Sequence, residues 1–315
     1  MVAQNIVVLG TGGTIAGTAA DPLDHLGYTP AQLAVDQLVS AVPPLAGWLL
    51  VAEQVAQVDS KDMDETVWRQ LALRCAHWLA REDVQGLVVT HGTDTLEETA
   101  FFLCSVLATD KPVVLTCAMR PASALMPDGP QNLFDAACVA RCPGARGVLA
   151  VCAGRVHGAL EVHKRHSYQL DAFDSGEAGP VAVVEDGRVR LLREWPSAQA
   201  LQPGLLDQLV EDKPWPRVVI VSSHAGVDGE LVDALVAQGV AGIVVAGTGN
   251  GTVHRRLEAA LLRALDAGVA VLRSTRCEGG RVLAHAGDRL PDAGGLSPVK
   301  ARIHLQLSLL ARGVG

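Results

Sequence analysis

The residues with the clearest capacity for chemistry stand in VLGTGGTIAG, residues 8 to 17, where glycines and two threonines follow an apolar run. Such a loop can cradle a phosphate, or it can let a threonine hydroxyl project into a site. The dinucleotide fingerprint needs a third glycine where Ile15 stands, and a P-loop needs a lysine, which is missing between residues 1 and 60. The sequence therefore disfavours nucleotide binding and favours a role for the hydroxyls of Thr11 and Thr14. Capping of a short helix by Thr14 is the alternative.

A second polar stretch, VVTHGTDTLEETAFF, follows another apolar run and offers a hydroxyl at Thr93 beside the carboxylate of Asp94. Thr95 and Glu98 fit the pattern S/T-x-x-E, which predicts a capping box at the start of a helix. We expect the box to start the helix while Thr93 and Asp94 face a crevice at the carboxyl end of the strand. His91, in the same loop, is predicted to be a buried, hydrogen-bonded residue and not a catalytic base.

Together, TGGTIAG and THGTDTLEETA resemble the bacterial L-asparaginase family, which uses threonine as its nucleophile. The resemblance covers nearly the whole chain. It implies hydrolysis of L-asparagine to L-aspartate and ammonia through a covalent acyl-enzyme, without metal or organic cofactor. Further matching stretches follow in the family's order: DSKDM (59–63), KPVVLTCAMRP (111–121), DGPQNLFDA (128–136), GNG (249–251) and SPVKARIHLQLSL (297–309).

The resemblance assigns the nucleophile and its proton partner. Thr14 matches the threonine that attacks the side-chain amide carbon, and an aliphatic hydroxyl needs a base for that step. Tyr28, in GYTPAQ, matches the tyrosine of a mobile flap over the nucleophile, where it serves as proton acceptor and lid.

A second catalytic set is implied by the same resemblance. Thr93, Asp94 and Lys164 match a group in which lysine and aspartate polarise the threonine hydroxyl and help to move a proton to the leaving ammonia. The backbone N–H groups of Thr93 and Ala118 would form the oxyanion hole. Only the alignment with the family selects Lys164 over its neighbour Arg165.

The resemblance also implies which residues recognise the substrate. Ser60 matches the residue that holds the α-carboxylate, Asp94 grips the α-amino group, and Asn250 reaches in from a neighbouring subunit. Lys61 stands where a glutamine would contact the α-amino group, so we expect its cationic head to point outward or to pair with an acid. No clear counterpart exists for the glutamate supplied across the interface, and Glu278 is only the nearest acid.

Three alternatives remain open at this stage. The chain could prefer glutamine or a related small amide lacking the α-amino group, as Lys61 suggests. It could be a regulatory protein that binds asparagine without turnover. It could also be a metal hydrolase built on His157, His163 and His166, because H-x-x-H chelates a metal when it lies on a helix.

The composition fits a small-molecule enzyme. The 315 residues are 49% hydrophobic but only 3% aromatic, an aliphatic balance common where helices cover both faces of parallel sheets. The formal net charge of −8 and the lack of a basic run exclude a general nucleic-acid or anionic-membrane surface.

The N-terminus and the cysteines bear on the compartment. MVAQNIVVLG shows no basic leader or cleavage site, which predicts a cytoplasmic protein, or a periplasmic one if a native leader has been removed. The seven cysteines lack metal-type spacing and are predicted to be reduced core residues. The family's periplasmic cysteine pair aligns with Arg81 and Thr109, so we expect no disulfide.

Apolar runs alternate with helical patterns along the chain, which predicts βαβ units and parallel sheets. The fold class is therefore α/β, with two domains that each carry a mainly parallel sheet flanked by helices. We predict an N-terminal domain over 1–190 with the nucleophile, a linker over 191–216 and a C-terminal domain over 217–315. The resemblance implies a homotetramer built as a dimer of intimate dimers. Predicted strands are 5–10, 86–92, 112–118, 147–154, 217–224, 242–249 and 269–274, and predicted helices are 63–81, 95–108, 130–141, 229–238, 253–267 and 298–312.

Overall fold

The computed structural model describes residues 5–211 and 213–313. It divides the chain into two units, Met1–Val210 and Glu211–Gly315. No helix among these described residues has the length and apolar character needed to cross a bilayer.

The first unit is built on an eight-stranded sheet in the order β10-β9-β6-β5-β4-β3-β1-β2. The pairs from β2 to β5 are parallel, and the remaining pairs are antiparallel. The strands are β1 Asn5–Gly12, β2 Leu50–Val58, β3 Val84–Thr90, β4 Pro112–Thr116, β5 Gly147–Cys152, β6 Arg155–Gly158, β7 His163–Lys164, β8 Phe173–Asp174, β9 Ala182–Glu185 and β10 Arg188–Leu191, with β7 and β8 paired apart from the main sheet.

Helices cover this sheet because the central strands are apolar on both faces. Every residue of β4 and β5 is buried, as expected of strands enclosed on both sides. Aromatic and aliphatic side chains of α3, including the fully buried Phe101 and Phe102, fill the space beside them. The helices of this unit are α1 Val35–Ser40, α2 Glu65–Leu79, α3 Leu96–Val106, α4 Gly129–Ala140 and α5 Leu205–Gln208.

The second unit has a three-stranded parallel sheet in the order β11-β12-β13. Val245 and Ile243 of the middle strand pack on one side with Leu257 and Leu261, and Val244 packs on the other side with Leu305. The two-domain, mainly parallel α/β fold is thereby confirmed. Its elements are β11 Val218–Ser222, α6 Glu230–Ala237, β12 Gly242–Gly247, α7 Arg255–Asp266, β13 Ala270–Thr275 and α8 Pro298–Ala311.

The segment 191–216, predicted as a linker, is hydrogen-bonded to the first unit over part of its length. The Leu201 and Gln202 N–H groups donate to the Cys104 and Ser105 carbonyls at 3.3 and 2.9 Å, and Thr109 N–H donates to Ala198 at 2.8 Å. This part of the segment therefore runs along the end of α3.

Candidate active site

Three loops meet at the carboxyl ends of β1, β2 and β3, which are neighbours in the sheet. Gly13, at a φ of 79°, lies so close to Gly92 that a Cβ on Gly13 would sit 2.3 Å from the Gly92 Cα. The Gly13 N–H donates to the Val58 carbonyl at 2.9 Å, and Ser60 Oγ lies against Gly92. Only glycine permits this approach of two backbones. It places Thr14, Ser60 and the loop after β3 in one crevice.

Thr14 is the first residue of a 3₁₀ turn, Thr14–Ala16, and is 7% exposed. Gly13 holds the N-cap position and no side chain caps the turn, so the alternative of Thr14 as a cap is wrong. The Thr14 hydroxyl instead lies 2.6 Å from the Tyr28 hydroxyl. Burial raises the pKa of Tyr28 against the opposing effect of this hydrogen bond. Tyr28 is therefore a neutral phenol near neutral pH.

Tyr28 lies at the base of the loop 18–29, which we call the flap. Thr18 and Thr29 close the flap through two backbone hydrogen bonds of 2.9 and 2.8 Å. The Tyr28 ring packs over Gly17, which follows the 3₁₀ turn of the threonine. The flap tip is open to solvent, with Leu23 71% and Leu26 81% exposed.

Lys164 joins Thr93 and Asp94 in one hydrogen-bonded group. Its Nζ donates to Thr93 Oγ1 at 2.8 Å and to Asp94 Oδ1 at 2.6 Å. The lysine side chain is 18% exposed and Thr93 is 6% exposed, so the Lys164–Thr93 contact is largely screened from water, whereas the Asp94 side chain is 54% exposed. Arg165 instead pairs with Asp174 at 3.2 Å. The geometry thus shows that Lys164, and not Arg165, contacts Thr93 and Asp94, which sequence patterning alone could not decide.

Glu97 supports this group in a way the sequence reading missed. Its Oε2 accepts the Lys164 backbone N–H at 2.9 Å, which ties β7 to the first turn of α3. In the sequence, Glu97 is an acidic residue in the first turn of a predicted helix and shows no further role. Its position three residues after Asp94 was the available signal.

Ser60 is 2% exposed and contacts the loop after β3. Its Oγ accepts the Asp94 N–H at 3.2 Å, and its carbonyl accepts the Thr95 hydroxyl at 2.7 Å. The helix begins at Leu96 with Thr95 as N-cap, as predicted, but the Thr95 side chain caps nothing. The predicted capping box is therefore wrong, because the hydroxyl is used to hold Ser60.

Lys61 follows Ser60 and is 61% exposed. Its ammonium group pairs with Asp62 and lies 3.9 Å from Asp59. The hydrogen bond that Lys61 donates to Asp62 raises the pKa of Lys61, so the charge is retained. The expectation that this cation pairs with an acid is confirmed.

His91 is fully buried beneath the loop after β3, as predicted. Its Nδ1 lies 2.7 Å from the Gly92 carbonyl, which only accepts, so Nδ1 carries the proton. Its Nε2 accepts from the Thr99 hydroxyl at 2.9 Å, because that hydroxyl already accepts from Trp68 Nε1 at 2.8 Å. Burial lowers the pKa of His91 to about 4, so it is only weakly basic near neutral pH, and both of its ring nitrogens are already hydrogen-bonded.

Two buried histidines make folding pH-dependent. Burial lowers the pKa of His91 and of His157 to about 4, against 6.5 in the unfolded chain. The unfolded state binds more protons between these values, so stability falls as pH drops through that window, by up to about 3 kcal/mol per histidine. When the pH is lowered from about 7 to about 4.5, we expect the free energy of unfolding of wild type to fall by about 2 to 3 kcal/mol more than that of His157→Gln. Urea unfolding at both pH values measures this, and equal losses would contradict it.

Ala118 is fully buried in the loop after β4. Asn132 Nδ2 donates to the Cys117 carbonyl at 2.9 Å, and the Asp128 carboxylate accepts the N–H groups of Met119 and Arg120, both at 2.9 Å. The sequence reading placed Asp128 and Asn132 only in a matching motif, without a role. The structure brings both to the peptide that carries Ala118.

Asn250 belongs to the second unit and is exposed. Its side-chain amide binds the backbone of Leu283 at both ends, donating to the carbonyl at 3.0 Å and accepting the N–H at 2.7 Å. This pairing holds the segment that follows Glu278. The predicted contact of Asn250 with substrate in a neighbouring subunit stays a prediction.

The three histidines of the metal alternative do not form a chelating helix. His163 lies on the two-residue strand β7, His157 on β6 hydrogen-bonds Ser175 at 2.8 Å, and His166 accepts backbone N–H groups of its own turn. Within residues 5–211 and 213–313, no group of three His, Cys, Asp or Glu side chains is arranged to hold a metal ion. The cysteines of this part of the chain are free, and Cys117 and Cys152 lie closest to one another with 3.9 Å between sulfurs.

Comparison with family models covers almost all of the chain. Residues 5–197 match the model described as asparaginase, N-terminal, and residues 217–313 match the model described as glutaminase/asparaginase C-terminal domain.

Individual relatives agree with these models over the full length. L-asparaginase 2 of Bacillus subtilis (strain 168) is 38% identical over 97% of this chain and 82% of its own. The glutaminase-asparaginase of Pseudomonas fluorescens biotype A is 37% identical over 97% and 86%, respectively. The crystal structure of a probable cytoplasmic L-asparaginase from Campylobacter jejuni superposes with a TM-score of 0.90 at 36% identity, covering 98% of this chain and 95% of that one.

Proposed function

The chain belongs to the asparaginase family, and from that premise we propose that it hydrolyses L-asparagine to L-aspartate and ammonia through a covalent acyl-enzyme on Thr14. One observation carries the mechanism. Two threonine hydroxyls sit in one crevice, Thr14 paired with Tyr28 at 2.6 Å and Thr93 paired with Lys164 at 2.8 Å. One pair serves to form the acyl-enzyme and the other helps to complete the proton transfers.

Acylation begins when Thr14 Oγ attacks the side-chain amide carbon of the substrate. The Thr14 proton passes to the Tyr28 oxygen while the phenol gives its own proton onward, so Tyr28 stays neutral as its raised pKa requires. The amide nitrogen gains that proton, the carbon–nitrogen bond breaks, and ammonia leaves. An ester between Thr14 and the aspartyl group remains.

The tetrahedral intermediate places negative charge on the former amide oxygen. We assign its stabilisation to the N–H groups of Thr93 and Ala118, in an environment where both residues are buried. Pre-positioned donors of this kind typically contribute about 10²- to 10³-fold each to kcat.

Deacylation adds water to the ester and returns the proton to Thr14. Lys164 donates to Thr93 Oγ1 and to Asp94 Oδ1, so its positive charge polarises the Thr93 hydroxyl. This arrangement favours transfer of a proton from the attacking water through Thr93 to the Thr14 oxygen as the ester bond breaks.

Substrate recognition falls to residues beside these hydroxyls. Ser60 would hold the α-carboxylate and Asp94 the α-ammonium group, with Lys61 neutralised by Asp62 at the edge. Asn250 would complete the site from a neighbouring subunit, so a complete site needs at least a dimer. We propose that the active form is a homotetramer. We also propose a cytoplasmic location.

A second candidate is a glutaminase-asparaginase or an amidase for a related small amide. Lys61 favours it, because a lysine paired with Asp62 stands where a glutamine would contact the α-ammonium group, so that contact is missing. The Pseudomonas fluorescens relative carries the former name.

The test is ammonia release measured side by side on L-asparagine, L-glutamine, D-asparagine and succinamic acid. We expect L-asparagine to give the highest kcat/KM. Comparable turnover of L-glutamine would support the second candidate. Preference for succinamic acid would contradict α-amino recognition by Asp94.

A further inference from the structure

Each of the two N–H groups assigned to the oxyanion belongs to a peptide whose carbonyl is bound by a buried side chain. The Thr93 N–H shares its peptide with the Gly92 carbonyl, which accepts from His91 Nδ1 at 2.7 Å. The Ala118 N–H shares its peptide with the Cys117 carbonyl, which accepts from Asn132 Nδ2 at 2.9 Å. The two donors therefore have the same kind of support in the loops that follow two neighbouring strands, β3 and β4.

A bond to the carbonyl controls the N–H because a peptide group is planar and trans, with its two polar ends pointing in opposite directions. Fixing the carbonyl end fixes the direction of the N–H. A hydrogen bond at the carbonyl also polarises the peptide, which strengthens the N–H as a donor. Both effects increase stabilisation of an oxyanion without any contact between the supporting side chain and the substrate.

The support on the Gly92–Thr93 peptide is itself held rigidly. His91 is fully buried and its proton is placed on Nδ1 by the chain from Trp68 through Thr99 to Nε2. The imidazole can therefore neither turn away nor exchange its donor end without breaking a buried bond.

The support on the Cys117–Ala118 peptide is equally constrained. Asn132 is 2% exposed, and its Oδ1 accepts the Ala153 N–H at 3.0 Å, so its amide cannot flip. Its Nδ2 also lies 3.2 Å from Asp128 Oδ2.

Asp128 stands at the start of α4, where an aspartate side chain commonly caps the helix. It holds the N-cap position of α4 but makes no side-chain cap bond. Its carboxylate instead accepts the N–H groups of Met119 and Arg120 in the loop after β4. Gly129 packs so tightly that a Cβ would lie 2.9 Å from Ile15 and 3.4 Å from the Ala118 Cβ. The start of α4 thus touches the residue after the nucleophile and the residue of the second donor.

We propose that His91 and Asn132 are positioning residues for the oxyanion hole, acting through the carbonyls of Gly92 and Cys117 on the N–H groups of Thr93 and Ala118. The proposal rests on the proposed function. It extends the catalytic machinery to two buried side chains that do not touch the substrate.

The test compares His91→Asn with His91→Gln. An asparagine amide lies where Nδ1 lies in histidine and can still donate to the Gly92 carbonyl, whereas a glutamine amide reaches only the Nε2 position. We expect His91→Gln to lower kcat about 10- to 100-fold with KM within about threefold, and His91→Asn to stay within about fivefold of wild type. Simple filling of the cavity predicts the reverse order, because asparagine leaves the larger void.

The measurements are kcat and KM per folded molecule from steady-state kinetics, with a melting curve for each variant. Asn132→Ser is the second variant, expected to show the same fall in kcat at nearly constant KM. His157→Gln is the matched control, a buried histidine bonded to Ser175, expected to lower stability with kcat within about twofold of wild type. Equal loss in both His91 variants, greater loss in His91→Asn, or an effect on KM alone would overturn the proposal. Turnover of L-asparagine by the unmodified chain tests the proposed function separately.

Discussion

Thr14→Ala is expected to lower kcat/KM for L-asparagine by roughly 10⁴-fold or more, because it removes the atom that forms the ester. Thr14 is 7% exposed and its hydroxyl is paired with Tyr28 at 2.6 Å, a position that the alanine methyl group leaves without a nucleophile. Coupled ammonia release measures the loss. Binding of L-aspartate, followed by calorimetry, should persist, because Ser60 and Asp94 are untouched.

Thr11→Val is the matched control for that change. Thr11 lies in the same glycine-rich loop and is 1% exposed, but its hydroxyl donates to the Thr90 carbonyl at 2.9 Å and serves the backbone. We expect it to reduce thermal stability while activity per folded molecule stays within a few-fold. If Thr14→Ala retained more activity than Thr11→Val, the assignment of Thr14 as the nucleophile would be wrong.

Lys164→Met is expected to lower kcat about 10²- to 10⁴-fold, the usual contribution of a positioned proton-transfer group. Methionine keeps most of the apolar stem but loses the two bonds from Nζ to Thr93 and Asp94. The backbone of residue 164 stays attached to Glu97 through its N–H, so the strand should hold its place. The readout is kcat for ammonia release, with the circular dichroism spectrum as a check on folding.

Arg165→Met gives the comparison that isolates this effect. It removes an adjacent cation that pairs with Asp174 at 3.2 Å and with Asp171 at 3.9 Å, and it has no bond to Thr93. We expect kcat within about threefold of wild type. Equal losses in the two variants would mean that the local positive charge matters and that the contact with Thr93 does not.

The sequence carried most of the fold because the central strands are apolar on both faces. Such runs have few alternatives to a buried parallel strand, and β3, β4 and β5 lie where they were predicted. β2 was missed because it lies at the sheet edge, where exposed and half-buried residues alternate. The strands from β6 to β10 are two to four residues long, which is too short to show a clear hydrophobic pattern.

In the candidate site, too, residues in local sequence motifs could be predicted, and residues that act on distant parts of the chain could not. Thr14 and Thr93 stand in recognisable motifs, whereas Lys164 is selected over Arg165 only by the resemblance to the family. The work of Asn132, Glu97 and Thr95 could not be predicted, since each binds a backbone group 15 to 67 residues away. Hydrogen bonds from a side chain to a remote backbone leave no pattern in a single sequence.

The closed base of the flap bears on which substitutions disturb the nucleophile. Thr18 and Thr29 fasten the two ends of the flap, and Tyr28 lies beside this pairing and not at the tip. Leu23 and Leu26 are exposed at the tip, whereas the hydrogen bond between Tyr28 and Thr14 lies at the base. Substitutions at the tip are therefore expected to leave that hydrogen bond in place.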